Sequence, residues 1–83
     1  MGRSVGCAAM KDKSQAAKIG AAIRKFREDL GITQDDFADK IEMHRSYYGE
    51  IERGKWNLTL RTITRVANGL GVKMWEIFRA ADL

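Results

Sequence analysis

The 83-residue sequence contains no proline, a single cysteine (Cys7) and a single histidine (His44). One cysteine excludes an internal disulfide, and together the two residues are too few for an ordinary structural zinc site. No apolar run is long enough to span a membrane, and the N-terminal residues do not have the apolar core of a secretory signal. We therefore expect a protein of the reducing cytoplasm, with no metal site and no cofactor.

The chain has enough residues for one compact domain and too few for a second. Its charged fraction of 31% beside 45% hydrophobic residues is that of an ordinary soluble domain. The 15 Lys and Arg residues outnumber the 11 Asp and Glu residues, and the formal net charge of +4 favours polyanionic partners.

Apolar residues recur at spacings of three and four, and no β-strand alternation is present, so the sequence predicts an all-α fold of five short helices. The predicted helices cover about 14–30, 33–41, 45–53, 59–70 and 74–81. Residues 1–13 are expected to form a flexible tail, with the folded domain over 14–83. Ser14, Thr33 and Thr59 are candidate N-caps, and Gly31, Gly54 and Gly71 are candidate helix ends.

One face of each helix is predicted to be apolar. The expected core residues are Ile19, Ile23, Phe26, Leu30, Phe37, Ala38, Ile41, Tyr48, Ile51, Leu60, Ile63, Ala67, Leu70, Val72, Met74, Ile77 and Phe78. The same periodicity leaves Trp75 on a more exposed face of the last helix. An exposed tryptophan near a chain end is a candidate for a contact with a second protein copy.

The second and third helices, joined by a short turn at 42–44, match a helix-turn-helix plan, in which the second helix can enter the major groove of DNA. The polar face of this helix consists of Arg45, Ser46, Gly49, Glu50 and Arg53. Arginine can form a bidentate bond to guanine, serine can bond a base or a phosphate, and glutamate can accept from cytosine. Gly49 is predicted to leave a gap that lets the backbone approach the DNA, and Tyr47 offers a ring for thymine methyl groups.

Two other interpretations of these residues deserve comparison. Each charged side chain alone is typical of a solvated helix surface, but their joint placement beside Tyr47 favours an interface. A hydrolase centre built from His44, Ser46 and Asp39 is disfavoured, since a histidine at a helix cap is usually a surface residue. We therefore predict that the protein is not an enzyme. Close to DNA, His44 can instead contact a phosphate.

Several short motifs carry a resemblance to a known family. They are Ile19-Gly20, Ile23-Arg24, Thr33-Gln34, Phe37-Ala38, Arg45-Ser46-Tyr47, Ile51-Glu52-Arg53-Gly54, Asn57 and Leu70-Gly71-Val72. In these motifs the chain resembles the λ-repressor-like, xenobiotic-response-element (Cro/C1-type) helix-turn-helix regulators. It is particularly similar to the controller proteins of restriction–modification systems, which are single-domain homodimers that regulate their own operon. The resemblance covers Ile19 to Phe78.

The resemblance implies roles for individual residues. Gln34, after Thr33 at the start of the second helix, would hold a phosphate, and Arg45, Ser46 and Tyr47 would meet the DNA. Asn57 and the residue before it, Trp56, would clamp the backbone.

The chain departs from the family pattern at several positions. Glu42 stands where the turn usually has glycine, and His44 stands at the usual Ser or Thr cap, so we expect a strained or displaced turn. Trp56 replaces a common basic residue, and Lys55 can compensate for the lost phosphate contact. Leu58 and Lys73 replace a frequent proline and a small cap, which should cost stability more than function.

The predicted partner is double-stranded DNA, read by a homodimer because one such domain makes too few base contacts for a specific site. The candidate dimer residues lie at the end of the chain: Met74, Trp75, Phe78, Ala81 and Leu83. Two alternatives remain open at this point. One is a DNA-binding antitoxin that also holds a toxin, and the other is a protein-interaction module that binds no DNA.

Overall fold

A computed structural model describes residues 13–55 and 58–82. Its regular structure over these residues consists of helices alone, which confirms the predicted all-α fold. The five helices are α1 (Lys13–Asp29), α2 (Gln34–Lys40), α3 (Arg45–Glu52), α4 (Leu60–Leu70) and α5 (Met74–Ala80). None of the helices in the described part is long and apolar enough to cross a bilayer. Apart from Lys13, the predicted tail lies outside the described residues.

Local hydrogen bonds fix where the helices begin and end. Thr33 Oγ1 accepts a bond of 3.1 Å from the backbone N–H of Asp36, and Thr59 Oγ1 accepts one of 3.1 Å from that of Thr62. Both predicted caps are therefore confirmed. Ser14, in contrast, lies inside α1, which begins one residue earlier, at Lys13. Left-handed glycines follow the ends of α1, α3 and α4, as predicted, at Gly31, Gly54 and Gly71.

The core is built from all five helices. Its fully buried members include Ile23 of α1, Phe37 of α2, Tyr48 and Ile51 of α3, Val66 of α4 and Ile77 of α5. The rings of Phe37 and Tyr48 pack at a centroid distance of 5.1 Å, tilted by 52°, which is a favourable aromatic geometry. This contact joins α2 to α3 and fixes how the two helices of the helix-turn-helix face each other.

Two leucines predicted for the core lie outside it. Leu30 is 49% exposed and Leu60 is 67% exposed. Leu30 follows the last residue of α1, where the chain already turns toward Gly31, so its side chain leaves the apolar stripe. Leu60 is the first residue of α4 and precedes the part of that helix that packs on the core.

α1 and α3 approach each other at backbone distance. A Cβ atom placed on Gly20 would lie 2.5 Å from the carbonyl oxygens of both Ile51 and Glu52, and one placed on Gly54 would lie 2.5 Å from Ala17 Cα. Neither contact leaves room for a methyl group. The absence of side chains at these two positions therefore allows α1 to support the end of α3 directly.

We expect Gly20→Ala to destabilise the protein. Overpacking against rigid backbone costs about 1–3 kcal/mol, while the better helix propensity of alanine returns up to about 1 kcal/mol. Urea unfolding measures the difference. Gly49→Ala is the matched control, because the atoms nearest to a Cβ there belong to the side chains of Gln34 and Arg53 and not to backbone, and the nearest lies at 3.3 Å. If both variants unfold at the same urea concentration, the close approach of α1 to α3 is not rigid.

Candidate nucleic-acid interface

The turn between α2 and α3 has the unusual geometry that the sequence suggests. Glu42 adopts a left-handed conformation, with φ of 56°, which is costly for a residue with a side chain. His44 caps α3, because its Nδ1 accepts a bond of 3.2 Å from the backbone N–H of Ser46. The turn is thus strained at the position where the family usually has glycine, and the histidine takes over the role of a Ser or Thr cap.

The first turn of α3 presents polar side chains to solvent. His44, Arg45 and Ser46 are exposed there. Arg45 Nη1 lies 3.0 Å from Asp35 Oδ2, an ion pair across the surface from α3 to the first turn of α2. Tyr47 is half-buried and packs against the core, so only part of this residue can face a ligand.

Farther along the chain from the first turn of α3, the residues predicted to face the groove differ in exposure. Arg53 and, just after the helix, Lys55 are exposed, and Glu50 is half-buried. Gly49 is buried, and the gap predicted over it is filled: a Cβ atom there would lie 3.3 Å from Gln34 Oε1 and 3.4 Å from Arg53 Nη1. The prediction of open backbone at Gly49 is therefore wrong for the free protein. Trp56 and Asn57 lie outside the described residues.

A buried ionic network, which the sequence analysis did not identify, supports this surface from below. Arg27 of α1 forms a bidentate pair with Glu52 of α3, with Nε to Oε2 at 2.7 Å and Nη2 to Oε1 at 3.1 Å. The side chains are 10% and 2% exposed. Tyr48 also donates its hydroxyl to Glu52 Oε2, and Gln34 donates its Nε2 to Oε1 at 3.0 Å. Three side chains, one each from α1, α2 and α3, thus donate hydrogen bonds to the carboxylate of Glu52.

The network changes the proton affinity of its members. Burial alone raises the pKa of Glu52, but the hydrogen bonds from Arg27, Tyr48 and Gln34 outweigh burial and leave this pKa below its ordinary value. Burial and the bond to Glu52 raise the pKa of the Tyr48 hydroxyl. The same carboxylate raises the pKa of Arg27. At neutral pH Glu52 is therefore an anion, surrounded by a cation and two neutral donors.

The role assigned to Gln34 has a structural consequence. One of its two amide N–H bonds is used by Glu52, which leaves a single N–H for a phosphate. A phosphate contact at Gln34 would therefore be tied directly to the network that holds α1 and α3 together.

A signal for the network exists in the sequence, since Arg27 follows Ile23 by four residues and so lies on the apolar face of α1.

The lowered pKa of Glu52 predicts a loss of stability in acid. Its stabilising contribution is complete above the unfolded glutamate pKa of about 4.3 and is lost as pH falls through the lower folded value. Glu52→Gln should thus be clearly less stable than the wild type at pH 7, and this difference should shrink below pH 4. Urea unfolding across this range measures it. The control is Glu28→Gln, whose partner Arg24 is exposed; an equal pH response of both variants would contradict the prediction.

The residues predicted for a dimer contact differ in exposure. Trp75 is 58% exposed, as expected, whereas Ala81 is only 4% exposed and belongs to the core. Met74 and Phe78 are partly buried against that core. Ala81 is therefore unavailable to a partner unless α5 shifts, and Leu83 lies outside the described residues. Trp75 remains the main candidate, beside a shallow pocket that is also lined by Phe26 and Arg79.

A helix-turn-helix family model matches residues 23–75, more than half of the chain. The chain belongs to the Cro/C1-type helix-turn-helix family. The match includes α2, the turn and α3 completely, and it ends at Trp75 in α5. The sequence prediction of this family is confirmed, and with it the assignment to helix-turn-helix transcriptional regulators.

Relatives of this Cro/C1-type protein include restriction–modification controllers. The control protein C.MunI from a Mycoplasma species is 36% identical over 62 residues, which cover 74% of this chain and 84% of that protein. The crystal structure of the controller C.AhdI from Aeromonas hydrophila has a TM-score of 0.72 at 32% identity, covering 75% of this chain and 94% of the other. Both relatives are named as controller proteins.

A further relative was solved together with DNA. The controller C.Esp1396I, as a tetramer in complex with its natural 35 base-pair operator, has a TM-score of 0.72 at 30% identity. The similarity covers 83% of this chain and 96% of that one. This relative therefore binds its operator as a tetramer.

Proposed function

We propose that this protein is a transcriptional regulator that binds a specific double-stranded DNA sequence as a homodimer, with α3 in the major groove. The observation that carries the proposal is the exposed first turn of α3. Arg45 and Ser46 lie there, and their donors are suited to base edges and phosphates. The buried network at Glu52 fixes the position of this helix. The operator complex of C.Esp1396I supports the same partner.

The contacts proposed for the DNA backbone surround this turn. Thr33 and Gln34 at the start of α2, and Lys55 after α3, would contact phosphates on the two sides of the groove. Trp56 and Asn57 follow Lys55 in the chain, and we propose that they extend the same backbone contact. His44, Tyr47, Glu50 and Arg53 complete the proposed surface. A regulator of this kind would act in the cytoplasm.

A homodimer is proposed because one recognition helix contacts few base pairs, whereas two helices read an inverted repeat with half-sites about one helical turn apart. Trp75 is the proposed centre of the dimer surface. Tryptophan is a frequent hot-spot residue, and more than half of this side chain is exposed in the single chain. Met74 and Phe78 would lie at the margin of that surface.

Trp75→Ala should weaken the dimer strongly. Truncating a hot-spot residue costs about 2 kcal/mol or more, which corresponds to an increase of about thirtyfold in the dissociation constant. Sedimentation equilibrium measures this constant. Leu60→Ala is the matched control, because it removes another exposed apolar side chain, from α4. If Leu60→Ala weakens the dimer more than Trp75→Ala does, the α5 surface is the wrong one.

The test of function is binding of the purified protein to a random-duplex library at two salt concentrations, followed by sequencing of the retained DNA. Enrichment of an inverted repeat is the expected result. Retention that depends on salt without enrichment would reduce the protein to a non-specific DNA binder. No retention at either salt concentration would favour a protein-interaction module. The antitoxin alternative has no support among the relatives described above.

A further inference from the structure

We propose that Asp35 positions Arg45 for base recognition and thereby contributes to sequence specificity. This inference rests on the proposed DNA-binding function. Its starting point is the ion pair between Asp35 Oδ2 and Arg45 Nη1, at 3.0 Å. The two side chains are 60% and 66% exposed, so the pair lies on the surface that the proposed function assigns to DNA.

Asp35 stands on a rigid support. The residue before it, Gln34, is bonded to the buried carboxylate of Glu52, and the N–H of the residue after it, Asp36, is bonded to the Thr33 hydroxyl. Both neighbours of Asp35 are therefore anchored. A charged group on an anchored backbone can hold a flexible partner in one orientation, whereas a group on a mobile loop cannot.

The pair restricts what Arg45 can reach. An unpaired arginine at a DNA surface has the phosphates as its nearest anions, and a phosphate contact carries no sequence information. The Asp35 carboxylate repels phosphates and attracts the guanidinium. With Nη1 directed to Asp35, the remaining N–H groups of the fork stay available for the O6 and N7 acceptors of guanine. Asp35 thus shifts Arg45 from the backbone toward a base.

Asp35→Asn should have two opposite effects. Binding to unrelated duplexes should become tighter, since one negative charge near the phosphates is removed. Preference for the correct base pair at the position read by Arg45 should fall by about two- to fivefold, the range expected for the loss of an exposed ion pair. The control is Asp36→Asn, which removes the same charge from the same first turn of α2. It should tighten non-specific binding and leave base preference unchanged.

The experiment uses the full-length protein and the duplex enriched from the library, together with duplexes carrying the other three base pairs at the position that Arg45→Ala relaxes. Dissociation constants are measured for the wild type, Asp35→Asn, Asp36→Asn, Arg45→Ala and the double variant. The expected result is that Asp35→Asn lowers base preference only when Arg45 is present, because coupled residues give non-additive effects.

Four other results would contradict the inference. Equal base preference in Asp35→Asn and Asp36→Asn would make Asp35 a general repulsive charge. A higher preference in Asp35→Asn would mean that the pair holds Arg45 away from the base. Failure of the wild type to select any sequence would overturn the proposed function itself, and the inference with it. A wild type that selects a site while Asp35→Asn is unchanged contradicts only the inference.

Discussion

Arg27→Ala is expected to lower the free energy of unfolding by about 3–5 kcal/mol, the cost of breaking a buried ion pair from one side. The substitution leaves the Glu52 carboxylate, only 2% exposed, without its cation. It also removes the bond of 2.7 Å that Arg27 Nη1 donates to the carbonyl oxygen of Ile32. For a domain of this size each kcal/mol lowers the melting temperature by about 4–8 °C, so a decrease of at least about 12 °C is expected in calorimetry.

The same helix offers the matched control. Arg24 pairs with Glu28 at 3.0 Å, but their side chains are 63% and 54% exposed, and exposed pairs contribute about 0–1 kcal/mol. Arg24→Ala should therefore unfold close to the wild type. Similar melting temperatures for Arg24→Ala and Arg27→Ala would mean that the buried pair contributes no more than a surface pair. Circular dichroism at low temperature establishes whether Arg27→Ala is still folded.

The network connects stability to the proposed DNA surface. Glu52 holds α1 through Arg27 and the start of α2 through Gln34, and it is itself part of α3. A change at Glu52 therefore affects more than one contact, because it alters the relative placement of three helices. Substitutions that break the network should weaken DNA binding even though none of the three side chains reads a base.

The parts of the fold that sequence reasoning recovered depend on residues close together in the chain. The caps at Thr33 and Thr59 need only an N–H three residues later. The strain at Glu42 was expected from the resemblance to the family, which usually has glycine at this position. Apolar periodicity also placed Phe37, Tyr48 and Ile51 correctly in the core. Each of these features is encoded within about one helical turn.

The parts that sequence reasoning missed depend on residues far apart in the chain. Arg27 and Glu52 are 25 positions apart, and nothing local indicates that the two charges meet. The burial of Gly49 likewise could not be predicted without knowing that the side chain of Gln34, from α2, lies next to it. Ala81 follows the last turn of α5, and only the packing of that helix on the core determines that it is buried. Periodicity predicts which face of a helix is buried, but it does not predict which other helix packs against that face.

Arg45→Ala is the substitution expected to affect DNA recognition most. Loss of a bidentate arginine contact should cost about 1–3 kcal/mol on the specific site and relax the preference at one base position. The exposed ion pair with Asp35 is worth little for stability, so the variant should fold normally. Dissociation constants for the enriched site and for an unrelated duplex, measured at the same salt concentration, separate loss of specificity from general weakening.

Two control variants determine which property of Arg45 matters. Arg45→Lys keeps the charge but loses the planar fork, so it should retain non-specific binding while base preference falls as in Arg45→Ala. Lys55→Ala, at an exposed residue after α3, should weaken binding to all duplexes about equally and reduce the salt slope by about one. If Arg45→Ala instead behaves like Lys55→Ala on every sequence, Arg45 contacts only the backbone, and the base must be read by another residue of α3.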